Sequence, residues 1–249
     1  MDARYQREKE FHDQTFGDGS RSVVDSFYVV VRTSFDYYEH QLESVPANYR
    51  VLEYGCGPGS MAFFLGRRGV NVTGIDISDV AIRQAQERAQ AEQLTTIDFR
   101  VGNAEALDFP DASFDIVCGR AILHHLDLSK AMPELTRVLK PSGRAIFVEP
   151  LGHNPVINLY RRLTPHLRTV DEHPLLMSDL KMMQRYFGGL DSRFFHLQSL
   201  LAVPFAKFKS YDRVLRFLDR ADQGLFKLLS FTRRYAWSVV LTLSSPRAT

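Results

Sequence analysis

Gly55, Gly57 and Gly59 alternate within V-L-E-Y-G-C-G-P-G-S, residues 51–60, and Glu53 stands two places before the first of them. Glycine tolerates positive φ and has no side chain, so such a turn can leave a strand sharply and lie against a ligand. A second apolar stretch, V-N-V-T-G-I-D-I-S, ends in Asp76. A carboxylate at that strand tip can accept from both hydroxyls of a ribose. Turn and acid together describe a nucleoside-cofactor site. The turn alone leaves the cofactor open. A dinucleotide fingerprint wants G-x-G-x-x-G, its third glycine opening a helix beneath a pyrophosphate. Here Ser60 takes that position and Gly59 comes one residue early.

The elements that must hold these groups alternate along the chain. Strands are expected at Arg50–Tyr54, Val70–Asp76, Ile97–Val101, Phe114–Cys118 and Arg144–Val148. Helices are expected between them at Ser60–Arg68, Asp79–Glu92 (Ser78 or Asp79 as N-cap) and Lys130–Leu139, the last stopped by Pro141 and Gly143. This alternation argues for crossover units and a parallel sheet covered on both faces. Ligands of such sheets bind beyond the carboxyl ends of the strands. The glycine turn, Asp76, Asn103 and Arg120 all fall there. Residues 1–45 read as an aromatic-rich helical cap (Phe11, Phe16, Phe27, Tyr28, Phe35, Tyr37, Tyr38), and 46–249 as the main domain. A helix is expected at Ser178–Phe187, with later strands at Phe194–Val203 and Ala236–Leu243.

Composition is that of an ordinary globular chain, 45 % hydrophobic and 24 % charged. No apolar run is long enough to span a membrane. The first residues, M-D-A-R-Y-Q-R-E-K-E, lack the apolar core of a signal peptide. Cys56 and Cys118 make no disulfide framework. A cytoplasmic enzyme is expected. From Pro204 onward there are nine Lys or Arg against three Asp, a net charge of +6. The preceding 203 residues hold 22 basic and 26 acidic side chains, a net charge of −4.

Five blocks follow one another in order: V-L-E-Y-G-C-G-P-G-S, G-I-D-I-S, V-G-N-A-E-A-L-D-F-P-D-A-S-F-D-I-V, I-L-H-H-L and L-K-P-S-G-R-A-I-F-V-E-P. As a set they resemble the class I S-adenosylmethionine-dependent methyltransferases, in particular the group with the ubiquinone and menaquinone methyltransferases. The resemblance covers about residues 48–150 and, more loosely, the last strand. It implies a doubly wound α/β fold with a seven-stranded, mostly parallel, Rossmann-like sheet, and S-adenosyl-L-methionine as cofactor. Phe194–Val203 and Ala236–Leu243 then fit the sixth and seventh strands, with a helical insertion at about 204–234.

By the same resemblance, Glu53, Gly55, Cys56, Gly57 and Gly59 would surround the methionine part of the cofactor, Glu53 holding the loop and reaching the amino group. Asp76 would bind the ribose and Ile77 lie beside the adenine. Asn103 and Ala104 would meet the adenine edge, and Arg120 would begin the segment closing over the methionine end. Asn103 stands where Asp is commoner; an amide oxygen can still pair with the adenine amino group. Tyr54 stands where a small aliphatic residue is usual, and either packs beneath the loop or lines the site.

Methyl transfer is an in-line displacement that needs alignment and exclusion of water, with a general base for some acceptors. His124 and His125 are the catalytic candidates, against a purely structural reading of the same pair. His153, Asn154, Asn158, Tyr160, Arg161, His166 and His173 could line an acceptor pocket or be ordinary loop residues. No histidine spacing matches a metal-ligand pattern, so no metal is expected. The partner expected is a small, apolar or amphiphilic methyl acceptor. Nucleic acid is not expected, because the N/D-P-P-Y/W signature of base-amino methyltransferases is absent after the fourth strand, where the chain reads G-R-A-I-L. The basic, amphipathic 204–234 segment is either a docked helical pair, a lid, or a peripheral membrane contact. A cofactor-binding scaffold without methyl transfer is the alternative to an enzyme. Neither the acceptor atom nor the oligomeric state follows from these residues.

Overall fold

The computed structural model describes residues 3–18, 30–165 and 169–247. Seven strands make one sheet: β1 (Arg50–Tyr54), β2 (Asn71–Asp76), β3 (Ile97–Val101), β4 (Phe114–Arg120), β5 (Leu139–Pro150), β6 (Phe187–Phe195) and β7 (Ser238–Pro246). Their order is β3-β2-β1-β4-β5-β7-β6. The pairs from β3 to β5 are parallel, and β7 runs antiparallel to both its neighbours. The chain builds outward from β1 to β3, then returns to place β4 on the other side of β1. Loops diverge at that reversal and leave a crevice above β1 and β4.

The helices are α1 (Ala3–Asp18), α2 (Arg32–Leu42), α3 (Met61–Gly66), α4 (Asp79–Ala91), α5 (Leu128–Val138), α6 (Pro155–Leu163), α7 (Met177–Met183) and α8 (Tyr211–Leu228). Among the described residues, no helix is long and apolar enough to cross a membrane. Successive strand residues point to opposite faces, and here both faces are apolar. Val51, Ile116, Ile146 and Val240 pack with Tyr38 and Leu42 of α2, Leu65 of α3 and Ile82 of α4. Leu52, Val117, Phe147 and Leu241 pack with Met132 and Leu135 of α5 and Met183 of α7. Ser78 caps α4, its side chain accepting from Ala81 N at 3.1 Å. Of the expected cap aromatics, Phe27 and Tyr28 lie outside the described residues, as does His166.

Two expectations are corrected. The strand at Phe194–Val203 ends instead at Phe195, and Gln198–Phe205 is a 3-10 helix. Buried Asp222 of α8 causes the exit. Its carboxylate accepts from Leu197, Gln198 and Ser199 backbone N–H groups at 3.0, 2.7 and 3.1 Å. Those donors turn toward the insertion rather than along a ladder. Apolar residues alone cannot announce this, because the partner lies some two dozen residues later. Pro141 and Gly143 do follow the end of α5, but the chain is already extended from Leu139, so β5 begins five residues earlier than expected.

His196, at that strand exit, is fully buried. Burial lowers its pKa from 6.5 to about 3. A depressed histidine favours the folded state above the unfolded value and withdraws that support as pH falls toward the folded one. From pH 7 to pH 5 the residue should cost about 2 kcal/mol of unfolding free energy. His196→Asn tolerates the left-handed backbone (φ +64°). Urea titrations at both pH values should show a smaller loss in that variant; equal losses would refute the assignment.

Candidate functional site

The loop after β1 carries Gly55, Gly57 and Gly59 at φ +59°, +52° and +93°. At Gly55 even the space is closed, since a Cβ would meet Ile122 Cδ1 at 2.7 Å. Bare backbone therefore lets the β1 loop touch the turn that follows β4. Asp76, at the tip of β2, accepts from Gly57 N at 2.8 Å through one oxygen and from Ser78 N at 2.9 Å through the other. A carboxylate offers roughly four lone-pair sites, so acceptor capacity remains for a ligand.

Gly55, Cys56, Gly57 and Gly59 line one cavity of about 420 Å³, and Asp76 and Ile77 lie on its wall. Asn103, Ala104 and Arg120 complete that part of the lining. The volume falls in the range of about 300–1,000 Å³ usual for small-molecule pockets. Bare glycine backbone, a carboxylate with spare lone pairs and this volume suit a nucleoside-bearing ligand. Tyr54 is buried beneath the loop against Phe147, so it packs there and does not line the cavity.

Glu53 is the exception among the expected cofactor residues. It is 1 % exposed and absent from the cavity wall. One oxygen accepts from Ser60 Oγ and Met61 N at 2.5 and 3.0 Å, the other from Ala62 N at 2.7 Å. Burial pushes its pKa up, opposed by those three donors. The carboxylate holds the loop and the start of α3; it does not reach into the cavity toward an amino group.

Glu149 does for the second wall what Glu53 does for the first. One oxygen accepts from Ile122 N and Leu123 N at 2.9 and 2.8 Å, and the other lies 2.8 Å from His124 Nδ1. The two histidines separate here. His125 lines the cavity, whereas His124 is buried behind it. Burial first, then the neighbouring His125, lowers the His124 pKa against the pull of Glu149. His124 thus stands behind the cavity wall, held by Glu149, rather than on it.

Helix α1 roofs the cavity with Arg4, Tyr5, Glu8, His12, Thr15 and Phe16. Polar ties hold it on three sides. Arg4 pairs with Glu105 and donates to His125 O at 2.7 Å. Lys9 donates to Ile77 O at 2.9 Å, and Asp13 accepts from Ser78 Oγ at 2.5 Å. Thr169 Oγ1 donates to Glu8 at 2.5 Å, and Arg7 pairs with Asp171 at 2.7 Å. Burial opposes the charge on Glu8, but contacts from His12 and His125 outweigh it and hold the carboxyl well below the usual range. Sequence reading missed Glu8, His12 and Glu149. The i, i+4 spacing of Glu8 and His12 on α1 was the available signal.

The residues after β5 serve structure. Asn154 caps α6 by accepting from Val156 N and Ile157 N, and Asn158 donates to Gly152 O at 2.8 Å. Arg161 pairs with Glu172 at 2.6 Å, and His153 accepts from Met177 N at 3.3 Å. Tyr160 and His173, like these four, are absent from the cavity wall.

Residues 52–147 match a family described as a methyltransferase domain. The chain is 38 % identical over 145 residues to the uncharacterized methyltransferase YcgJ of Bacillus subtilis, covering 57 % of this chain and 56 % of that protein. It is 36 % identical over 130 residues to the ubiquinone/menaquinone biosynthesis C-methyltransferase UbiE of Methylobacterium nodulans, covering 48 % and 51 %. The chain thus spans about half the length of these relatives. Among solved structures it is similar to phosphoethanolamine N-methyltransferase 2 of Haemonchus contortus in complex with S-adenosyl-L-methionine. That match has a TM-score of 0.63 and 17 % identity, over 90 % of this chain and 57 % of the other. At that identity the likeness is one of fold.

Proposed function

With residues 52–147 a class I S-adenosylmethionine-dependent methyltransferase domain, we propose that the chain moves a methyl group from S-adenosyl-L-methionine to a small, apolar or amphiphilic acceptor. The observation that carries this reading is the convergence of the glycine loop, Asp76 and the Asn103–Ala104 segment on one cavity. In the proposal, the loop and Asp76 hold the methionine and ribose parts, and Ile77, Asn103 and Ala104 frame the base. When bound, the cofactor supplies an electrophilic methyl group on a sulfonium sulfur. The chain's task is to align the acceptor with it and exclude water. Helix α1 excludes water, and His125 on the cavity wall meets the acceptor. His124 and Glu149 set the turn that aims it.

An amphiphilic acceptor is supported by the outer face of α8. Arg213, Arg216, Arg220 and Lys227 are exposed there beside Phe217 and Leu228. Just before it, Phe205, Lys207, Phe208 and Lys209 are exposed as well. Aromatic side chains among cations suit the boundary of an anionic bilayer.

Two measurements test the reading. Calorimetry should show S-adenosylhomocysteine binding, and labelled methyl groups should enter a lipid-soluble product in an extract of the source cell. Binding without transfer to any acceptor would favour a cofactor-binding scaffold. The protein should also sediment with vesicles containing anionic lipid and not with neutral ones. Phe208→Ser with Phe217→Ser should reduce that sedimentation; an unchanged bound fraction would remove the membrane component.

A further inference from the structure

We propose that Glu8, His12 and His125 form a binding site for one first-row divalent metal ion at the roof of the cavity. This deepens the reading above, because it places the ion at the acceptor end of the proposed methyl-transfer site. Glu8 Oε2 lies 3.1 Å from His125 Nδ1 and 3.5 Å from His12 Nε2. Donors bound to one ion at about 2.0–2.2 Å stand roughly 3.0–3.5 Å apart, and both Glu8 spacings fall in that range. The ligand-capable atoms of all three residues fall within 4.8 Å of one another.

Hydrogen bonding does not account for the cluster. Glu8 is 3 % exposed, yet its Oε2 has no hydrogen-bond partner among the described residues, and neither has His125 Nδ1. The two atoms stand 3.1 Å apart without forming a hydrogen bond. A cation between them would satisfy both. The other oxygen of Glu8 is already fixed by Thr169 Oγ1, which orients the carboxylate. Arg4 beside it pairs with Glu105 and donates to the His125 carbonyl.

A neighbouring group, His124, His125 and Glu172, is also close enough to share an ion. It is the weaker candidate. His124 Nε2 and Glu172 Oε1 are 3.9 Å apart, and the guanidinium of Arg161 sits 2.6 Å from that oxygen.

Two imidazoles and one carboxylate suit Zn²⁺, Fe²⁺, Co²⁺ or Mn²⁺ better than Mg²⁺, and leave positions open. Since all three ligands line the cavity, an open position would face the acceptor and would lower the pKa of a hydroxyl bound there. The ion would also join α1 to the turn after β4, fastening the roof. This is why spacing along the chain gave no metal pattern: two ligands are on the roof helix and the third follows β4.

The test uses tag-free, chelator-dialysed full-length protein titrated with Zn²⁺ and, separately, Co²⁺ and Mg²⁺. One Zn²⁺ per chain is expected, with visible Co²⁺ absorption and little Mg²⁺ binding. Glu8→Gln and His12→Ala should each weaken Zn²⁺ by about tenfold or more, while His40→Ala, at an exposed position of α2, should not. Circular dichroism verifies folding of each variant. Zn²⁺ binding that is absent, or unaffected by either ligand variant, overturns the site. Calorimetry with S-adenosylhomocysteine on the same metal-free protein separates the two ideas. Donor binding without metal binding defeats only the metal site, and the reverse defeats the methyltransferase reading.

Discussion

Asp76→Ala is expected to weaken S-adenosylhomocysteine binding by roughly ten- to 150-fold, the equivalent of about 1.5–3 kcal/mol for hydrogen bonds to a charged group. The carboxylate does two things at once. Its side chain lies on the cavity wall with acceptor capacity to spare, and its two oxygens accept from Gly57 N and Ser78 N. Alanine removes the proposed ligand contact and frees both backbone donors, so the glycine loop loses one of its ties to β2 and keeps that from Cys56 N to Ile75 O. Asp76→Asn keeps an oxygen for one of those donors and should fall between alanine and wild type. Calorimetric titration of all three proteins measures this directly. Wild-type affinity in the alanine variant would mean that the donor does not bind against β2.

Glu53→Ala should lower unfolding free energy by about 3 kcal/mol or more, since truncation strands buried donors at up to about 1–3 kcal/mol each. Ser60 Oγ, Met61 N and Ala62 N all lose their acceptor. Helix α3 is only six residues long, so its first turn depends on that carboxylate. Donor affinity should fall with stability, because the same loop carries Gly57 and Gly59. Glu53→Gln keeps one acceptor oxygen but turns an amide N–H toward a donor, and should lose part of both. Urea unfolding and calorimetry together check the prediction. A loss of donor affinity at unchanged stability would point instead to direct contact between Glu53 and the ligand.

The contrast between these two acids shows where the sequence was legible. Asp76 ends β2 and Glu53 stands one residue before the end of β1, both beside the same loop, and type and spacing marked both. Only one faces the cavity. At β2 the chain turns so that Asp76 stays at the rim, whereas α3 folds back over Glu53 and encloses it. The histidine pair separates for a related reason. Adjacent residues in a 3-10 turn point in different directions, so His124 turns inward to Glu149 while His125 turns to the cavity. The strand exit at Phe195 shows the same limit, for Asp222 takes the next backbone donors from across the insertion.

The glycine loop, the strand-tip acid and the alternation of apolar strands with helices are local features, set by φ preference, side-chain period and the sterics of a turn. They were enough to determine a doubly wound sheet, and the cavity lies at its switch point. The roof, the enclosure of Glu53, the inward turn of His124 and the meeting of the Glu8–His12 pair with His125 were decided by tertiary structure alone. Each depends on packing between segments far apart in the chain. A buried carboxylate or imidazole takes its role from whichever donors that packing delivers to it, and no pattern of neighbours along the chain records them.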